Sequence, residues 1–166
     1  MQRVVRAFAC AVALASALGG AAGRAWAIGV SPAIVHIEHG QRETAITLMN
    51  RSGVAEDVEL AFAWGVPVSD SLGEVSVPLL EAAPAGEPSA VGFLRAFPRR
   101  LTLRPGERQV VRILGRPPVG LADGEYWARL IITATPRSPP VEQRLGPSAA
   151  DVRMGTRVVV AVQYRG

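Results

Sequence analysis

The chain has 166 residues, with 18 basic and 14 acidic side chains, a formal charge of +4 and a single cysteine. That length suits one domain built around one core. So small a charge excess gives no basis for a nucleic-acid partner, and one cysteine rules out a disulfide framework.

The first 27 residues read as a cleavable leader. Arg3 and Arg6 form a basic start, Ala7 to Gly20 is apolar but short for a membrane span, and Ala25-Trp26-Ala27 is a small-residue cleavage site. Cys10 leaves with this secretory signal, so the mature chain from Ile28 to Gly166 has no thiol chemistry. Arg3, Arg6 and Arg24 leave too, which lowers the charge from +4 to +1. Every basic residue is arginine, and with so much Ala, Gly, Pro and Val this reads as a codon bias of an exporting bacterium.

The mature chain shows no sustained helical period. Short alternating runs are separated by Gly, Pro, Asn and Asp clusters, the pattern of an all-β sandwich. Ile28 to Glu38 is the first strand region, broken at Pro32, which suits an edge. Thr44 to Met49 follows, then a turn at Asn50-Arg51-Ser52-Gly53. Val58, Leu60, Phe62 and Trp64 alternate with smaller or charged residues, giving a third strand with one strongly apolar face. Asp70 to Gly92 is loop-rich, with room for a short strand at Val75 to Leu80.

Phe93 to Phe97 is the next strand region. Leu101 to Leu103 and Gln109 to Leu114 flank Arg104-Pro105-Gly106-Glu107. Pro presets φ near −65° and Gly accepts positive φ, so this tetrapeptide reverses the chain within an antiparallel arrangement. Tyr126 to Thr135 is a long apolar strand, Arg137 to Ala150 a Pro-rich loop, and Met154 to Tyr164 the last strand. The total is seven or eight strands, the size of an immunoglobulin-like sandwich.

Little in this chain points to catalysis or metal binding. His36 and Glu38 share a strand face and His39 follows, but two histidines without cysteine fall short of a metal-ligand set and read as surface side chains. Ser31, Ser69, Ser71 and Ser76 lack a nucleophile signature. The acid pairs Asp70/Glu74 and Asp123/Glu125 sit in turns, where carboxylates cap and solvate. No Gly-rich loop opens a helix to hold a phosphate. The expectation is a protein with no enzymatic activity, no cofactor, no metal and no small-molecule substrate.

The last strand is the better lead. Val152, Met154, Thr156, Val158, Val160 and Val162 share one parity, while Arg153, Arg157, Val159 and Ala161 share the other. Val158 to Val162 is apolar on both parities, which predicts burial on both faces. The stretch before it reads either as an edge that lends itself to another chain or as an ordinary edge closed by arginines. An uncovered edge there also allows self-association.

The chain resembles the N-terminal domain of the periplasmic pilus-assembly chaperones, of the P-pilus type and its archaic spore-coat-like relatives. The residues that carry the resemblance are Gly29-Val30-Ser31-Pro32, Thr47-Leu48-Met49-Asn50-Arg51, Phe97-Pro98, Leu103 to Arg112, Asp123-Gly124-Glu125-Tyr126 with Leu130, and Val160 to Gly166. The resemblance implies an immunoglobulin-like sandwich in the periplasm whose last strand is lent to a pilus or fimbrial subunit lacking a strand of its own. An outer-membrane usher is a further implied partner. Val152, Met154, Thr156 and Val158 then form the subunit-binding strand.

The sequence also departs from the family. The family's subunit-carboxylate anchors, an Arg on the first strand and a Lys on the last, fall on Val35 and Ala161 here, leaving Arg153 or Arg157 to take that role. Thr156 interrupts the apolar series. The second sandwich domain of the family is not present in residues 28 to 166. The competing expectation is a structural or adhesive envelope module, or a degenerate chaperone paralogue without a client.

Overall fold

The computed structural model describes residues 28–137 and 155–166. Its strands are β1 (Ile28–Ser31), β2 (Ile34–Glu38), β3 (Glu43–Asn50), β4 (Glu56–Ala63), β5 (Val68–Ser69), β6 (Val75–Ser76), β7 (Leu94–Phe97), β8 (Arg100–Leu103), β9 (Arg108–Gly115), β10 (Glu125–Pro136) and β11 (Thr156–Arg165). A four-stranded sheet in the order β1-β3-β9-β7 stacks on a five-stranded sheet in the order β2-β11-β10-β4-β8, and β5 and β6 form a small separate ribbon. All pairings are antiparallel except β2 with β11.

The strands exceed the expected seven or eight for specific reasons. Two single runs serve both sheets and count twice, and the separate β5–β6 ribbon adds two more strands. The first run crosses at Ser31-Pro32, between β1 and β2, and another crosses at Phe97-Pro98, between β7 and β8; both peptide bonds are cis. A proline cannot donate to a ladder, so a strand that must leave one sheet does so there.

The core lies between the sheets. Ile46, Leu48, Val111, Ile113 and Leu94 bury from the four-stranded side, and Val35, Ile37, Leu60, Leu103, Leu130, Ile132, Val160, Val162 and Tyr164 from the other. Alternation does this, because period-two side chains put one set inward and leave the other outside.

The 104–107 turn corrects the expectation of a local antiparallel pair. Its two flanking strands do not pair with each other: β8 joins β4, while β9 joins β3 and β7. Leu103 and Val111 thus enter the same core from opposite sheets. The turn itself is as the sequence suggests, with Gly106 at φ 76 and Glu107 N donating to Arg104 O at 3.0 Å.

Asn50 holds this crossing in place. It is fully buried, and its Nδ2 donates to Leu103 O at 2.9 Å and Val54 O at 2.7 Å. Its Oδ1 accepts from Ser52 N and Ser52 Oγ, each at 2.8 Å. Its backbone N donates to Glu107 O, and its backbone O accepts from Gly106 N. One residue therefore ties the end of β3 to the end of β8 through its side chain and to the turn after it through its backbone.

Tyr164 closes the other end of the core. Its ring meets Phe93 edge-on at 5.1 Å, and its hydroxyl lies 3.1 Å from His39 Nδ1. Tyr164→Phe keeps the ring and removes only the hydroxyl bond. It should lower the unfolding free energy by about 0.5–1.5 kcal/mol in urea denaturation. A loss above about 3 kcal/mol would show that the hydroxyl does more than this hydrogen bond.

Candidate strand-binding edge

The strand β11 is paired along its whole length on one side only. Against β10 it runs from Thr156↔Ala134 to Arg165↔Glu125. Against β2 the ladder begins at Ala161↔Ile34 and ends at Arg165↔Glu38. Between Thr156 and Val160, the side away from β10 has no strand among the described residues. The cause is upstream: beyond Ile34 the chain turns at Pro32 into the other sheet, so β2 cannot follow β11 further. Backbone donors and acceptors are left facing outward, the arrangement that accepts a strand from another chain.

Side chains along this edge alternate. Thr156 and Val158 are half-buried and share the inward parity of Val160, Val162 and Tyr164. Arg157 and Val159 point to the outer face, with Val159 42% exposed. The expectation that Val158 to Val162 is buried on both faces is thereby corrected. Among the described residues no second sheet layer covers the outer face here, so Val159 stays exposed and Ala161 half-exposed. Of the other candidates, Val152, Arg153 and Met154 lie outside the described residues.

The register also revises the assumed anchor positions. Val35 is 1% exposed and faces the core beside Val162, whereas the neighbour of Ala161 is Ile34, which is 58% exposed. Both positions at the end of the open edge are therefore apolar. Alternation explains the shift, since Ile34, His36 and Glu38 form the outward set of β2.

Several charges on this outer face are paired among themselves. Arg165 joins Glu125 at 3.3 Å and Glu38 at 3.8 Å, Arg100 joins Glu59 at 2.8 Å, and Arg137 joins Asp57 at 3.2 Å. The hydrogen bond from the Thr102 hydroxyl, with help from the Arg137 guanidinium, holds the Asp57 carboxyl below its ordinary value. The Arg100 guanidinium does the same for Glu59. Lowered carboxyls favour the folded state above the unfolded carboxyl range and lose that contribution as pH falls. At this exposure the effect is small. His36 Nδ1 sits 2.7 Å from Gln163 Oε1 and His39 against Tyr164, so neither histidine is set against a serine. No group of three or more His, Cys, Asp or Glu side chains is arranged to hold a metal ion among the described residues.

The last strand, the lead in the sequence, has an open edge among the described residues, but Ile34, Val159 and the reason for that opening were not legible there. The only signal for it was Pro32, and its consequence depends on a parallel pairing between segments far apart in the chain.

Solved structures share this architecture. The periplasmic chaperone SfaE superposes with a TM-score of 0.53 and 11% identity, over 83% of this chain and 57% of its own. The CsuC–CsuE chaperone–tip adhesion subunit complex from the archaic Csu pili of Acinetobacter baumannii gives 0.53 and 19%, over 84% and 51%. The Salmonella enterica SafA pilin–SafB chaperone complex gives 0.55 and 13%, over 87% and 56%. A PapD-like domain of human CEP192 gives 0.50 and 16%, over 84% of each chain. The chain spans about half the length of the solved chaperones that it matches. No family model matches it, and no curated protein does. At these identities the likeness establishes the fold, an immunoglobulin-like sandwich of the PapD chaperone type.

Proposed function

We propose that this protein is a periplasmic, non-enzymatic chaperone-like domain that binds a strand-deficient pilus or fimbrial subunit by pairing it with the last strand. The carrying observation is the open edge of β11 from Thr156 to Val160, next to half-buried Thr156 and Val158. In support, two of the similar structures are chaperones in complex with a pilin or a tip subunit. Residues 1–27 direct export, and an outer-membrane usher is a further partner.

Magnitudes say what the edge needs. Backbone bonds contribute about 0.5–1.5 kcal/mol each, so the handful available along Thr156 to Val160 barely offsets an association cost of roughly 4–15 kcal/mol. Apolar side chains in the subunit's groove must supply the rest, and Val152, Met154, Thr156 and Val158 are the residues assigned to it. Arg153 and Arg157 are the guanidinium groups available to a subunit carboxylate.

Co-expression in the periplasm with strand-deficient subunits tests the proposal. The expected result is a co-purifying complex that Val152→Asp with Met154→Asp abolishes while the circular dichroism of the domain is unchanged. Failure to capture any such subunit, or capture indifferent to both substitutions, overturns it. A second reading, an adhesive or structural module, draws on the apolar Ile34–Ala161 pair. It predicts no subunit capture.

A further inference from the structure

The outer faces of the two sheets differ in how their charges are used. On the five-stranded sheet Arg100, Arg137 and Arg165 are ion-paired and Arg129 donates to Gly65 O at 2.8 Å, which leaves Arg157 as the exposed arginine without an ion pair among the described residues. On the four-stranded sheet Arg51, Arg95, Arg108 and Arg112 are all exposed, and none is in an ion pair among the described residues.

The ladder shows how these side chains are laid out. Along the inner strand β9, Arg108, Val110 and Arg112 share the outward parity, which puts the two guanidinium stems about 13–14 Å apart. Phe97 pairs with Arg112 from β7 and is 71% exposed; Val110 is 52% exposed. Arg51 lies back across the sheet, because a Cβ on Gly29 of β1 would stand 2.9 Å from its Nε. Glu43 is the acid at the outward positions of β3 and lies at one end of the face, opposite Leu114. The result is an open sheet face that alternates guanidinium and apolar groups.

We infer that this face docks on an anionic phospholipid surface. Guanidinium groups take phosphate oxygens in a bidentate fork, and an exposed Phe fits the boundary between headgroups and acyl chains. An array centred on β9, both of whose edges are already paired, suits a planar, fluid partner better than an acidic segment that would add as a strand. The segregation matters as much as the count. With Glu38, Asp57, Glu59 and Glu125 and their arginine partners on the opposite face, and Glu43 and Glu107 at the ends of this one, the centre of the four-stranded face is cationic although the overall charge excess is small.

Co-sedimentation with vesicles tests this. The probes are vesicles of phosphatidylcholine alone and of phosphatidylcholine with about one-third phosphatidylglycerol. The protein should bind the second and not the first, and release as salt rises from 0.05 to 0.5 M on the order of the Debye length's contraction. Arg108→Gln with Arg112→Gln should weaken partitioning about 25-fold, from roughly five-fold per arginine. Phe97→Ser should weaken it while leaving the salt dependence unchanged. The control is Arg100→Gln with Arg137→Gln, which removes the same charge from the other face and should leave binding within about two-fold, since those arginines are already ion-paired and face away from the lipid. Any leader retained is common to all variants and cancels. Equal binding to both vesicle types, or equal loss from the two double variants, overturns the proposal. So does retention on soluble polyglutamate without vesicle binding, which would make the partner an acidic polypeptide.

Discussion

Replacing Asn50 with alanine lowers the unfolding free energy by about 2–4 kcal/mol, because several buried groups lose their partners at once. Leu103 O loses its Nδ2 donor and Ser52 N loses its acceptor, while the single Ser52 hydroxyl hydrogen is left with Val54 O alone. Val54 O keeps a bond from Ser52 Oγ at 2.9 Å, which limits the loss. Asn50→Asp is expected to be worse than the alanine at neutral pH. An ionised carboxylate would turn an oxygen toward two carbonyl oxygens in a site that water does not reach. The carboxyl introduced there should have a raised pKa in the folded state. Stability is therefore largely kept below the ordinary carboxyl range and lost as pH rises through the raised value. Urea denaturation of both variants at pH 4 and pH 7.5 checks this. An aspartate variant as stable as the alanine at both values would contradict the donor role of Nδ2.

The second large effect is steric. Gly115 ends β9 with its hydrogen against the ring of Tyr164, and an added Cβ would stand 2.8 Å from Tyr164 Cε2 and 3.2 Å from Cδ2. Both residues are buried, and the ring is already fixed edge-on by Phe93. Since the backbone at Gly115 is not left-handed, the strain in Gly115→Ala comes from overpacking alone, at roughly 1–3 kcal/mol. Thermal denaturation should show a melting temperature several degrees lower. Gly115→Ala combined with Tyr164→Leu, which vacates the ring's edge, should show less than the sum of the two single losses. Additive losses would place the strain elsewhere.

Much of the sandwich was legible because it rests on period-two alternation and on turn chemistry. Ile46 and Leu48, Val111 and Ile113, and Leu130 and Ile132 declared their faces locally, and all are buried as their parity requires. Pairing was less legible than strand existence. Nothing local to Leu103 or Val111 says that the turn between them crosses sheets, because each strand's partners lie elsewhere in the chain. Asn50 read as a turn residue, and its burial depends on Leu103, which is far away in sequence. The open edge was hidden for the same reason. The alternation of β11 was visible, but that β2 covers it only from Ala161 onward is a property of the parallel register. Val35 and Ala161, the positions where the family's anchors fall, lie on opposite faces, which only the register of β2 against β11 reveals.

The most direct test of the strand-pairing account is amide hydrogen exchange on the protein alone and on its complex with a strand-deficient subunit. Alone, amides of Thr156 to Val160 that face away from β10 should exchange quickly, while those bonded to β10 exchange slowly. In the complex, the fast set should become protected, with little change along β3, β9 and β7. A complex that protects the four-stranded sheet and leaves the Thr156–Val160 edge exchanging as before would contradict the account.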